Sequence, residues 1–367
     1  MASGPSLRFL PLMLAGVAAL LSGMYAGLVR MGWMLPGLGP GLAALHGPLM
    51  VCGFVGTLVC VERTVGMRQR VAILIPILAA LGMIGILAGV PAPWPAVIVS
   101  LASAGLIVAY ATAMRLHGGV PLTVMALGGV AWLVGNLHWL AGVALHLPVG
   151  WWMGFLVLTV AGERLELSRM ANPPPSARRL FTACVVLFCG GLTAGSVFPG
   201  HGHIPVGIAL AALALWLFRF DIARRTIRST GLPRFVAASL LSGYAWLLLG
   251  GAVMAGTGGV ASGMTWDIIV HSVFVGFVFS MIFGHAPIIF PAVLGVPVHY
   301  RPLLYAPLAL LHLSLIVRVA GDLAGNPVVR RAGGLLDAAA IILYLAMILG
   351  SALAGRGRAA DETSARG

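Results

Sequence analysis

The chain has no lysine and very little charge: 8% of its 367 residues are Asp, Glu, Lys or Arg. Soluble domains carry roughly a quarter. A globule of this composition has too few charges to cover its own surface, and an intrinsically disordered chain needs far more polarity. Cysteine is scarce as well. Cys52, Cys60, Cys184 and Cys189 all lie inside apolar runs without CxxC spacing. That pattern excludes a disulfide framework or a zinc module and reads as small buried residues. The ten-residue alternating segments of a membrane β-barrel are also missing.

What is present is apolar. Hydrophobic residues make up 60% of the chain, and the mean hydropathy is +1.03. The net charge of +13 comes entirely from arginine. The arginines cluster at the ends of apolar runs, with no basic face and no aromatic platform, so no nucleic-acid partner is expected. The partner is the lipid bilayer.

A membrane span needs about 20 apolar residues. On that measure the chain has about twelve spans: 8–29, 41–61, 71–91, 95–115, 121–145, 149–165, 178–198, 204–220, 234–256, 266–288, 302–320 and 333–354. The first is retained as a helix, since no small-residue cleavage site follows it. With both termini in the cytoplasm, 18 arginines face inward and four outward, namely Arg30, Arg318, Arg330 and Arg331. The positive-inside rule therefore orients the chain, and the outer exceptions concentrate at its last outer loop. Residues 1–355 form one membrane domain, and 356–367 are expected to be a disordered cytoplasmic tail.

Two repeat frames divide that domain. CGFVGTLVCVER from Cys52, MGFLVLTVAGER from Met153 and VGFVFSMIFGHA from Val275 each carry Gly-Phe and a polar residue nine positions after the Gly. Those polar residues are Glu62, Glu163 and His285, in the second, sixth and tenth spans. A fainter frame, with Gly23, Gly135 and Gly243, joins the first, fifth and ninth. The frames predict three pseudo-symmetric four-helix units, about 1–117, 118–230 and 231–355, in an all-α fold.

Ionisable groups inside spans are costly and mark sites. His46 and His271 lie at similar depth below the outer ends of the second and tenth spans. Two such histidines are suited to clamp one haem iron. Met50 lies one turn from His46, and Gly53 and Gly276 offer close backbone approach to a macrocycle. Near the cytoplasmic ends, Glu62, Glu163 and His285, with Arg63 and Arg164 following the two acids, form an inner polar ring. Its two readings are a proton or anion entry point and a staple of ion pairs.

These segments resemble a known family. HGPLMVCGF from His46 and HSVFVG from His271 look like the second-span HxHxxxxGF and later HxxxxG motifs of the NnrS family. PAVLGVPVHYRPLLYAPLALLHLSLIVRV resembles that family's following loop and span. The second His of the HxH is Pro48 here. The resemblance implies a haem-binding membrane protein, with haem b and a possible copper, similar in plan to the catalytic subunit of haem–copper oxidases. It implies residence in a bacterial inner membrane, a role in nitric-oxide or redox stress or in denitrification, and nitric oxide or another diatomic as ligand. His46 and His271 would be the axial pair. His201 and His203, in FPGHGH, and His138 are the candidates for a second metal. The rival reading is a small-solute transporter without haem, which the Pro- and Gly-broken stretches around 35–41 and 287–297 would suit.

Overall fold

The computed structural model describes residues 7–36, 40–66, 70–198, 202–258, 261–295 and 298–364. Every regular element among them is helical. Ten helices are long and apolar enough to cross a membrane. They are α1 (Leu10–Arg30), α2 (Gly41–Gly66), α4 (Pro93–His117), α5 (Val120–Leu140), α7 (Pro175–Val197), α8 (His203–Phe220), α9 (Gly231–Thr257), α10 (Gly263–Leu294), α11 (Pro302–Leu323) and α12 (Pro327–Leu353). Between them lie the shorter apolar α3 (Val71–Leu87) and the deeply buried α6 (His146–Ser168). Each expected span thus coincides with a helix. The backbone after α12 stays helical to Ser364, including the segment expected as a disordered tail from 356 onward.

The helix starts follow local chemistry. Proline occupies the first turn of α1, α4, α5 and α7. There its missing N–H costs nothing and its fixed φ is already helical. Pro287 and Pro291 lie inside α10, which ends at Gly295 in the left-handed region, φ +64°. Only glycine adopts that conformation cheaply.

In lipid, helices associate by close packing of small residues rather than by expulsion of water. The repeated glycines do this. A Cβ on Gly23 would lie 2.7 Å from Met50, one on Gly135 2.6 Å from Trp152, and one on Gly243 2.7 Å from Met281. Each of these glycines seats the α1, α5 or α9 helix against the helix that follows the same frame: α2, α6 or α10. The second frame returns the contact. Gly53 meets Ala19, Gly154 meets Ala131, and Gly276 meets Trp246. Of the ten candidate spans, α2 and α10 have the largest buried shares, 61% and 67%. They form the interior of the bundle.

Both helices are deformed in the same place. Leu49–Gly56 in α2 and Ser272–Phe279 in α10 are π-helical, eight residues each. Gly53 and Gly276 are the fifth residues of these segments. The corresponding stretch of α6 is ordinary α-helix. Wide π turns inside α-helices recur at functional sites. Here they occur in the two helices that carry His46 and His271.

Candidate functional site: a histidine pair on a buried ion network

His46 and His271 face one another. Their ring centres are 6.5 Å apart and the planes lie within 18° of parallel. The rings are too far apart to touch. Each is fixed from behind. His46 Nδ1 lies 2.7 Å from the Gly23 carbonyl oxygen of α1. His271 Nδ1 lies 2.9 Å from the Asp267 carbonyl oxygen, one turn earlier in α10, and 3.3 Å from the Asp267 carboxylate. A carbonyl oxygen only accepts, so each Nδ1 carries the proton and donates. Each Nε2 keeps its lone pair and has no hydrogen-bond partner among the described residues. Ligand histidines have this arrangement: one nitrogen donates to a backbone or carboxylate oxygen and the other is left for the metal.

The separation fits a shared iron. With metal–nitrogen bonds of about 2 Å and each ring centre ~1.2 Å behind its nitrogen, an axial imidazole pair has centres roughly 6.4 Å apart. The centre-to-centre distance of the two rings matches that spacing. Gly27 makes the His46 position possible, because a Cβ there would lie 2.8 Å from His46 Cε1. Met50 packs on Gly23 instead of on the His46 ring, and Gly53 and Gly276 are engaged in the helix contacts above.

Behind His271 lies a cluster that sequence reasoning left unpaired. Arg318 of α11 grips the Asp267 carboxylate in two places, Nε to Oδ2 at 2.7 Å and an Nη to Oδ1 at 3.0 Å. Arg330 reaches the same carboxylate at 2.9 Å and Asp322 at 3.0 Å. Arg318 also approaches Asp337 of α12 at 3.4 Å, and Ser314 donates to that carboxylate at 2.6 Å. Arg318 and all three aspartates are buried. Two of the four arginines expected on the outer side are therefore ion-pair partners rather than loop charges. In the sequence, Asp322 and Asp337 fall in the same stretch as those arginines, but Asp267 lies 51 residues from Arg318.

At the other end of the bundle, Glu62, Glu163 and His285 line one cavity of about 120 Å³ between α1, α2, α6, α10 and α12. The three equivalent residues of the repeat frame therefore converge. Arg63 hydrogen-bonds Glu163 across α2 and α6 and lies 3.6 Å from Glu62. Arg164 leaves the ring. It lies 3.7 Å from Asp221, in the turn after α8, and both side chains are buried. Burial pushes the Asp221 carboxyl above its ordinary value, against the pull of Arg164 and a hydrogen bond from the Ala223 N–H.

The second-metal candidates do not assemble among the described residues. His138 turns back to the Val134 carbonyl at 2.8 Å and lies over Trp151. His203 packs edge-on against Trp266 and shares a shallow pocket with His146. His201 lies outside the described residues. No group of three or more His, Cys, Asp or Glu side chains able to hold a metal ion occurs among the described residues. The cysteines are unpaired, and the buried Cys52 accepts a hydrogen bond from Trp132 Nε1 at 3.4 Å.

Fold and site together define the class: an all-α, multi-pass membrane protein with an inward-facing histidine pair anchored to a buried ion network. The chain belongs to the family described as Domain of unknown function (DUF8744), whose model matches residues 8–353. No curated protein and no solved structure matches it.

Proposed function

We propose that this is a haem protein of the bacterial inner membrane, similar to the NnrS family, that holds haem b between His46 and His271 and acts in nitric-oxide or redox-stress chemistry. One observation carries the reading: two near-parallel imidazoles 6.5 Å apart, each with Nδ1 committed to an oxygen and Nε2 free. A three-unit scaffold of the haem–copper oxidase kind accords with the paired glycine contacts and with the matching π segments in α2 and α10. The excess of inward arginines supports cytoplasmic termini.

Held by His46 and His271, a haem would supply a one-electron couple. The residues around it have distinct tasks. Asp267 orients the His271 ring and places a negative charge beside it. Arg318 and Arg330 hold that carboxylate in place. His46 has a neutral carbonyl behind it, so the two ligands differ in electron donation. No part of the proposal rests on copper.

The test is the reduced-minus-oxidised visible spectrum of the detergent-purified protein, with a pyridine haemochrome assay and metal analysis. A low-spin b-type spectrum is expected, lost in both His46→Ala and His271→Ala. Protein expressed with haem supplied that still contains none would refute the proposal and favour the transporter reading. Substrate flux in proteoliposomes would then be the measurement to make.

A further inference from the structure

The cavity at the cytoplasmic end is distinct from the histidine pair. Thr57, on its wall, lies 11 residues beyond His46, about three helical turns away. Its volume of about 120 Å³ is near the ~150 Å³ that admits a benzene ring in an engineered protein. The walls are otherwise aliphatic and aromatic, from five helices.

Of the polar side chains in that lining, Glu163, Thr159 and Tyr344 are bonded within the protein, and three others remain. The Thr57 hydroxyl is buried and has no hydrogen-bond partner. Helical threonines ordinarily bond back one turn, as Thr64 and Thr159 do here. Thr57 is the first residue after the α2 π segment and makes no such bond. An orphaned hydroxyl inside a membrane helix bundle needs a partner. His285 Nδ1 lies 2.7 Å from the Met281 carbonyl oxygen, so its Nε2 is an acceptor. Glu62 is the second acceptor, since Arg63 makes its close bond to Glu163. The site thus offers two acceptors and a hydroxyl around a ring-sized apolar space.

We infer that this cavity binds the ring of a lipid-soluble hydroquinone, its hydroxyl groups donating to Glu62 and His285 and bonding with Thr57. The polarity sets the preferred form. A hydroquinone presents two O–H donors to the two acceptors, whereas the oxidised quinone presents only acceptors and keeps Thr57 alone as a donor. An acyl chain would fill the apolar space and leave all three polar groups unserved. Gly16 provides the entry for a test. A Cβ there has 4.0 Å to its nearest neighbour, the Phe54 carbonyl oxygen, so the position accepts a side chain that then occupies the cavity.

The experiment is equilibrium binding of radiolabelled decyl-ubiquinol, under anaerobic reducing conditions, to the full chain in nanodiscs. Decyl-ubiquinone and an alkyl chain without a ring serve as controls. The binding is read whether or not the preparation contains haem, so it stands or falls apart from the histidine pair. One saturable site per chain is expected, at least tenfold weaker for the quinone. Thr57→Val and Glu62→Met should each weaken it about fivefold to tenfold, the loss of one hydrogen bond. Gly16→Leu should abolish it while the protein stays monodisperse, and Gly16→Ala, one methyl in open space, should retain it. Unsaturable partitioning, equal binding of quinone or bare alkyl chain, or undiminished binding to Gly16→Leu would each overturn the inference.

Discussion

Arg318→Met removes one charge from the network behind His271 and keeps the length of the side chain. Arg318 is 6% exposed. It makes two hydrogen bonds to Asp267 and a longer one to Asp337. After the change Asp267 retains Arg330, while Asp337 retains only the Ser314 hydroxyl. Three carboxylates would then face a single guanidinium group. Removing one partner of a buried ion pair costs about 3–5 kcal/mol, because the remaining charge is stranded. Over 367 residues the unfolding entropy is roughly 0.8 kcal/mol/K, so the melting midpoint should fall by about 4–6 °C. The assay is thermal unfolding of the detergent-purified protein at one fixed scan rate, since membrane proteins seldom unfold reversibly. Asp337→Asn in the same chain removes the stranded charge, so the double variant should recover a large part of the loss. A fall under about 2 °C would place the Arg318 bonds among weak, solvated surface pairs. Losses that simply add in the double variant would show that Arg318 and Asp337 do not act as a unit.

Gly27→Leu should displace the His46 ring, which a Cβ at that position already crowds. The expected result is loss of at least half of the haem absorbance in a protein that remains folded, and a full wild-type spectrum would refute it. A second prediction concerns pH. Burial raises the Asp221 carboxyl above its ordinary value, so the folded state holds this proton more tightly than the unfolded state does. Its contribution to stability therefore falls as pH rises above the ordinary carboxylate value, and stays low beyond the raised one. Asp221→Asn should flatten that part of the melting profile, which begins at pH ~4, where an unfolded aspartate ionises. A variant profile parallel to the wild type would rule out Asp221 as the source.

Much of the fold was legible because a bilayer imposes long apolar runs and charge asymmetry on any chain that crosses it. The twelve runs became helices, and the Gly-Phe frame located close contacts between neighbouring helices. His46 and His271 could be paired from the sequence because each stands a few residues before a frame glycine. The ion network could not. Asp267 and Arg318 are 51 residues apart, and one sequence carries no sign of which carboxylate an intramembrane arginine meets. Arg164 shows the same limit. Its repeat position matches Arg63, yet it turns to Asp221 because the turn after α8 brings a buried carboxylate within reach. The π segments have no marker in composition. Only their backbone hydrogen bonds reveal them.

Those π segments also set an angle. In α-helix each residue advances about 100° around the axis. A π turn takes more residues per revolution, so it delays the rotation of everything downstream. In α2 and α10 the histidine stands before the segment, and Glu62 or His285 stands after it. The direction in which the inner polar group points, relative to the histidine on the same helix, is therefore a phase that these eight residues determine. Rewinding Leu49–Gly56 as ordinary α-helix at unchanged length would keep His46 on its partner and turn Glu62 away from the cavity, whereas deleting one residue at the same time would largely restore its phase. The two ends of the bundle are geared together by two matched defects, and a change in winding at either one would disengage them without altering a single side chain at the sites themselves.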